Sequence, residues 1–153
     1  FDLSIALIQP MYSAIKRQAE VEIMPMAKDM GMLCVPYSPL GGGLLTGKYT
    51  NGGAGRLTED DRYAARYGFD HMYKAAERLG EIAQREDVHP ATLAVAWAAA
   101  HETAPTPIIS ARSLEQLKPS LAAMTYVMRP DLYSEVATLV PPPPPATDRA
   151  EEQ

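Results

Sequence analysis

The sequence lacks the features that would place the chain in several common classes of protein. A single cysteine, Cys34, in 153 residues excludes an internal disulfide and suits a reducing compartment, so we expect a cytoplasmic location. No run reaches the roughly 18 apolar residues of a transmembrane helix, so no membrane association is expected. Acidic side chains outnumber basic ones by 19 to 14 without a basic cluster, which argues against a nucleic acid partner. No basic segment precedes the first apolar run, so we expect no secretory signal. The sequence begins at Phe1 without a Met, so we expect it to start inside a longer product.

Patterns of metal-ligating and catalytic residues are also missing. The three histidines, His71, His89 and His101, are not spaced as ligands at positions i and i+4, and we expect them to be solvated or to cap helix ends. Tyr12 and Lys16 have no neighbours in the sequence that would make either one a catalytic group. We therefore predict no metal site and no catalytic residue in this chain.

Short apolar runs and a helical pattern alternate at the start of the chain. Residues 3–9 and 32–37 are predicted as buried parallel strands. Between them, Pro25 is tolerable only in a first turn, so we expect a helix that starts close to Ile23 and ends at Gly31. A strand, a helix and a second strand within about 35 residues form a βαβ unit.

The rest of the chain is predicted to be mainly helical. We expect five helices: residues 58–67 capped by Thr58, residues 72–83 with an apolar stripe, residues 90–100 starting at Pro90 and burying Trp97, residues 113–121 with a capping box between Ser113 and Gln116, and residues 131–139. A strand is predicted at 106–109, although Pro107 weakens it. The proline run 141–145 predicts polyproline II, as a spacer or a recognition motif, and residues 146–153 are expected to be disordered.

The stretch from Val35 to Tyr49 is the most informative part of the sequence. A predicted strand breaks into Ser-Pro and three consecutive glycines, residues 41–43, which permit positive φ and close approach of a ligand to the backbone. Loops after the strands of α/β proteins commonly hold phosphates. A P-loop is an alternative, because Gly42, Gly47 and Lys48 match it, but Tyr49 replaces the required Ser or Thr. A GxGxxG fingerprint fails as well, because its third glycine is Thr46.

The chain resembles the aldo-keto reductases, in the branch that includes the potassium-channel β subunits. The similarity covers roughly residues 3–124 and is carried by five motifs: Gln9-Pro10-Met11-Tyr12, Arg17-Gln18-Ala19-Glu20-Val21-Glu22, Tyr37-Ser38-Pro39-Leu40-Gly41, Gly43-Leu44-Leu45-Thr46-Gly47-Lys48-Tyr49 and Ser113-Leu114-Glu115-Gln116-Leu117.

The resemblance implies an α/β fold, part of a (β/α)8 or TIM barrel. Such barrels typically need about 250 residues, so the 153-residue chain is too short for a whole one. Its three predicted parallel strands would be the sixth to eighth, with flanking helices. Residues 1–140 would form this C-terminal half, and residues 141–153 a proline-rich tail. The family interconverts aldehydes or ketones and alcohols by hydride transfer with NADPH. Its catalytic tetrad of Asp, Tyr, Lys and His lies in the half that is missing, so the chain alone is expected to be inactive.

The resemblance also implies which residues hold NADPH. Gln9 matches the residue that bonds the nicotinamide carboxamide, and Tyr37 the ring on which the nicotinamide stacks. Arg112 matches a position beside the adenosine 2′-phosphate, and Gln116 one near the adenine. The loop along the pyrophosphate corresponds to Ser38, Pro39, Leu40, Gly41 and Gly43. The family usually places Glu and Asn, which contact the adenosine, at the positions of Pro119 and Ser120. We therefore expect a weakened adenosine pocket.

The individual residues and the whole chain allow other interpretations. Taken alone, Gln9 reads as a strand-end residue, Tyr37 as core, Arg112 as a surface charge and Gln116 as a capping residue. The chain could be a non-catalytic NADPH-sensing or interaction module like the channel β subunits, or, less in keeping with its residues, a P-loop NTPase. Besides a small carbonyl substrate, we expect a partner that covers the unpaired strand edges, either the missing N-terminal half or a second copy of the chain.

Overall fold

The computed structural model describes residues 5–50 and 52–145. Two short strands and seven helices follow one another in these residues: β1 Leu7–Ile8, α1 Ile23–Asp29, β2 Leu33–Cys34, α2 Arg56–Glu59, α3 Asp61–Tyr67, α4 Asp70–Arg85, α5 Pro90–Ala99, α6 Leu114–Ala122 and α7 Pro130–Ala137. Short 3₁₀ turns lie at Gln18–Glu20 and Gly41–Thr46. The fold is therefore α/β, as predicted, with more helix than strand.

The strands β1 and β2 pair in parallel, with Leu7 opposite Leu33. The pairing continues beyond the strands, since the Tyr37 N–H donates to the Pro10 carbonyl at 2.9 Å and the Tyr12 N–H donates to the Tyr37 carbonyl at 3.2 Å. Both strands are shorter than the predicted ranges 3–9 and 32–37, because Pro10 and Pro36 have no N–H to give to the ladder. Residues 3 and 4 of the first range lie outside the described residues.

The third predicted strand, at residues 106–109, is not confirmed, because the segment is extended but forms no regular strand. The segment runs beside β2 in the same direction, and the N–H groups of Thr106 and Ile108 donate to the carbonyls of Cys34 and Pro36, both at 2.8 Å. Pro107 lies between these two donors and has no N–H, so it cannot add a bond to the ladder. The described part of the chain thus has a two-stranded parallel sheet with a third extended segment along its edge.

Three of the predicted helices are confirmed, α1 and α5 at their starts and α4 and α5 by the residues that they bury. Helix α1 begins at Ile23, and Gly31 follows it with φ of +65°. Helix α5 begins at Pro90, and Trp97 is completely buried in it. Helix α4 buries the whole apolar stripe that the sequence indicates, namely Met72, Ala75, Ala76, Leu79, Ile82 and Ala83.

Other predicted helices differ in detail. Residues 58–67 form two helices rather than one, because the Asp60 side chain accepts from the Arg62 N–H at 2.9 Å and starts α3, whereas Thr58 lies inside α2. Pro119 does not end α6, which continues to Ala122. The Pro119 carbonyl accepts a 2.6 Å bond from the Thr92 hydroxyl of α5, which ties the two helices together.

The C-terminal segment after α7 has no regular element. Residues 141–145 form neither helix nor strand, so polyproline II there stays a prediction. The tail predicted to be disordered, residues 146–153, lies outside the described residues. Among the residues that are described, no helix has the length and apolar character needed to cross a membrane.

Helices cover one face of the small sheet, and its other face is open. Cys34 of β2 belongs to the buried core, whereas the paired Leu7 and Leu33 point to the opposite side and are exposed. The carboxyl ends of β1, β2 and the 106–109 segment meet at one edge, from which the two loops of the site begin.

Candidate cofactor site

A cleft of about 750 Å³ opens at the carboxyl edge of the sheet. Its walls come from the loop after β2, the loop between residues 46 and 56, the segment 108–112 and the first turns of α6. A volume of this order is typical of small-molecule and cofactor sites, which range over about 300–1,000 Å³. The structure thus brings the two loops singled out in the sequence to the same cleft.

The glycine loop after β2 is folded tightly on itself. Ser38 has φ of +59°, and Gly41, Gly42 and Gly43 all have positive φ as well. The Gly41 N–H donates to the Ser38 carbonyl at 2.9 Å, and the Gly43 N–H donates to the Leu40 carbonyl at 3.0 Å. A Cβ on Gly42 would lie 2.9 Å from Cδ1 of Tyr63. Three successive residues in the left-handed region need glycine, so the sequence sets this loop directly.

The second loop ends at the N-terminus of α6. The Ser113 hydroxyl accepts from the Gln116 N–H at 3.3 Å, which gives half of the predicted capping box. The second predicted bond of the box, from the Ser113 N–H to the Gln116 side chain, is wrong. The Gln116 amide oxygen accepts from the Arg112 N–H instead, at 3.2 Å. Gln116 therefore holds the backbone of Arg112, whose guanidinium lies 3.6 Å from the carboxylate of Glu59 in α2.

Seven of the ten predicted cofactor residues line the cleft: Tyr37, Ser38, Pro39, Leu40, Gly43, Arg112 and Gln116. Three do not. Gln9 is exposed at the end of β1, next to the segment that pairs with Tyr37. Gly41 is buried, where a Cβ would meet Ile15 at 2.8 Å. Ser120 is buried on the core side of α6.

Two basic residues in the cleft were not among the predicted site residues. Lys48 and Arg56 both line it, on the loop that follows the glycines. The Lys48 ammonium lies 4.7 Å from the centre of the Tyr49 ring, and a Cβ on Gly55 would collide with that ammonium. The sequence carried a signal for Lys48, since it follows Gly47 in the P-loop-like pattern, but nothing marked Arg56. With Arg112, the cleft holds three cations against one lining acid, Glu115.

The histidines have the structural roles expected of them. His89 caps α5, because its Nδ1 accepts from the Ala91 N–H at 3.0 Å, and burial lowers its pKa. His101 accepts from the Thr103 N–H just after α5. His71 is exposed near the start of α4. No cluster of three metal-ligating side chains occurs among residues 5–50 and 52–145.

The donors present suit a phosphate-bearing ligand. Lys48, Arg56 and Arg112 supply charge, and the glycine turn lets a ligand approach the backbone closely. Tyr37 offers an aromatic face in the same cleft. The fold and the site together define an α/β protein with a cation-lined cleft at the carboxyl edge of parallel strands.

The chain belongs to the aldo/keto reductase family, whose sequence model matches residues 1–140. It is 31% identical over 135 residues to the "Uncharacterized oxidoreductase YrpG" of Bacillus subtilis. The matched region covers 88% of this chain and 40% of that protein. The chain is 30% identical to "Protein tas" of Escherichia coli, over 86% of this chain and 39% of that one. It is also 27% identical to a "Probable voltage-gated potassium channel subunit beta" of Oryza sativa subsp. japonica, over 92% of this chain and 45% of that one. The chain thus spans about two-fifths of the length of these relatives.

Proposed function

We propose that this chain is the NADPH-holding part of an aldo-keto reductase barrel. The segments at β1, β2 and 106–109 would be the sixth to eighth strands of that barrel, which the rest of a longer protein or a partner would complete. The observation that carries the proposal is that the glycine loop and the Arg112 loop line one cleft together with Lys48 and Arg56. Membership of the family supports it.

Each group of the cofactor has a candidate partner in the chain. Tyr37 would stack on the nicotinamide, and Gln9, at the same edge of the sheet, would bond its carboxamide. The backbone of residues 38–43, with Lys48 and Arg56, would hold the pyrophosphate. Arg112 would grip the 2′-phosphate at the N-terminus of α6, and Gln116 would fix that loop. Ser120 would not take part, because it is buried away from the cleft.

The reaction would be the reversible reduction of an aldehyde or ketone. Bound NADPH would supply a hydride to the carbonyl carbon, and the proton for the carbonyl oxygen would come from outside this chain. The chain's own contribution would be to bind the dinucleotide and to orient its nicotinamide through Tyr37. We therefore expect no carbonyl reduction by the 153-residue chain alone.

A non-catalytic, NADPH-sensing module is the second candidate, favoured by the similarity to a potassium channel subunit. It predicts the same binding without turnover, even when the rest of the protein is supplied. The P-loop alternative has less support, because residues 47–50 form a turn and the next helix begins only at Arg56. A P-loop leads directly into a helix.

Titration of the chain with NADPH, followed by the fluorescence of the reduced nicotinamide, tests the proposal. We expect saturable binding that Arg112→Ala weakens about tenfold or more, since one charge-assisted contact is worth about 1.5–3 kcal/mol. NADH binding should change much less. Arg78→Ala, which removes an exposed arginine of α4 outside the cleft, is the matched control and should have no effect. Binding of Mg²⁺-ATP in preference to NADPH, or no binding of NADPH, would contradict the proposal.

A further inference from the structure

We propose that Glu59 is a specificity-determining residue that competes with the 2′-phosphate of the dinucleotide for Arg112. The inference rests on the proposed function and deepens it. In the structure, the Glu59 carboxylate forms an ion pair with the Arg112 guanidinium, the group that would bind the 2′-phosphate under the proposed function. Glu59 acts as an internal stand-in for the phosphate, which the ligand must displace.

The geometry of the pair allows this displacement. The Arg112 Nη2 lies 3.6 Å from the Glu59 Oε2, and the two side chains are 70% and 50% exposed. The contact is therefore long and solvated, and such pairs hold weakly. A ligand with more charge and better geometry can replace the carboxylate without unfolding anything.

The backbone that carries Glu59 is fixed, so its carboxylate stays near Arg112. Leu57 is buried in the core, and its N–H donates to the Tyr49 hydroxyl at 3.1 Å. Thr58 bonds both the N–H and the carbonyl of Gly55, each at 3.0 Å. Helix α2 thereby holds the Glu59 carboxylate beside Arg112, next to the N-terminus of α6.

The two competing ligands differ in chemistry. A phosphate monoester carries about 1.5–2 negative charges at neutral pH and offers three acceptor oxygens, so it can engage a guanidinium through two bonds. A ribose hydroxyl carries no charge and cannot displace the carboxylate. When the phosphate binds, the freed Glu59 stays close to it and repels it. Glu59 therefore lowers the affinity for 2′-phosphorylated ligands and leaves that for unphosphorylated ones unchanged.

Adenosine 2′,5′-bisphosphate and 5′-AMP are suitable probes, because they differ only in the 2′-phosphate. We expect Glu59→Gln to tighten binding of the bisphosphate about two- to fivefold at low ionic strength and to leave binding of 5′-AMP unchanged. The gain should disappear in the Arg112→Ala background and shrink at high ionic strength. Glu77→Gln, which neutralises an exposed acid of α4 outside the cleft, controls for net charge and should change neither affinity.

Two failures can be told apart by titrating the same variants with NADPH. If NADPH binds and Glu59→Gln leaves the bisphosphate unchanged or weakens it, Glu59 does not compete, and this inference alone is overturned. A gain that persists without Arg112 also overturns it, since the effect would then be general repulsion. If the wild type and all variants fail to bind NADPH, the proposed function falls and the inference with it.

Discussion

Gly43 shows how a single residue sets the shape of the cleft. Its φ of +95° lies where residues with a Cβ are strained, and an added Cβ would approach the Lys48 side chain to 3.3 Å. We expect Gly43→Ala to lower the free energy of unfolding by about 1–2 kcal/mol and to weaken NADPH binding. Gly80→Ala is the control, because Gly80 lies inside α4 with open space around it, and this change should stabilise by about 0.5–1 kcal/mol. Urea denaturation measures both, and equal effects would contradict this account of the loop.

The residues that could be located from the sequence are those whose local chemistry decides their place. Three glycines in a row after a strand indicate a loop that can adopt positive φ, so the position of the cleft was predictable from residues 41–43. The burial of Ser120 was not predictable, because it comes from the packing of α6 against α5, where the Thr92 hydroxyl bonds the Pro119 carbonyl from a distant part of the chain. Arg56 was missed for the same reason, since only the folded 46–56 loop brings it to the cleft.

At the scale of elements, Arg17 ties the turn after β1 to the end of α7. Its guanidinium makes two bonds to the Glu20 carboxylate, at 2.8 and 3.0 Å, and one to the Ala137 carbonyl at 2.7 Å. Both charged side chains are only 14% exposed. Lysine cannot replace these contacts, because its single ammonium group lacks the planar arrangement of donors of the guanidinium. We expect Arg17→Lys to lower the free energy of unfolding by about 2 kcal/mol.

The matched control for Arg17 is an exposed arginine in a similar pair. Arg62 bonds Asp60 in two places, at 2.9 and 3.1 Å, but its side chain is 85% exposed. Arg62→Lys should therefore leave the unfolding curve unchanged. If both substitutions changed the free energy of unfolding equally in thermal or urea denaturation, the account would be contradicted, because burial would not explain the stabilisation by the Arg17 contacts.

The helices were easier to predict than the strands, for a physical reason. The apolar stripe of α4 and the proline at the start of α5 are local signals that need no partner. A strand requires N–H groups at the right positions on both sides, and Pro10, Pro36 and Pro107 remove several of them. The sheet was therefore shorter than its apolar runs indicated, although its parallel direction followed from the βαβ pattern.

At the scale of the whole molecule, one face of the sheet exposes apolar side chains to solvent. Ile5, Leu7, Leu33 and Ile108 are between 42% and 71% exposed. A patch of this kind is typical of a surface that another polypeptide covers. The relatives are a little over twice as long as this chain, so we propose that the rest of a barrel covers the face and that the isolated chain self-associates through it.

Sedimentation velocity over a range of concentrations tests this self-association. We expect species larger than a monomer, and we expect Leu33→Lys to shift the distribution towards the monomer by placing a charge in the open face. Val127→Lys changes an equally apolar residue that is exposed in the loop after α6 and should have little effect. A monomer at high concentration would contradict the prediction.

Hydrogen–deuterium exchange of the chain with and without saturating NADPH tests the central claim most directly, because the claim is that one dinucleotide contacts both loops at once. The account predicts slower exchange at residues 38–49 and at residues 110–116 together, with little change in α7. Protection of one loop without the other, or of neither, would contradict it.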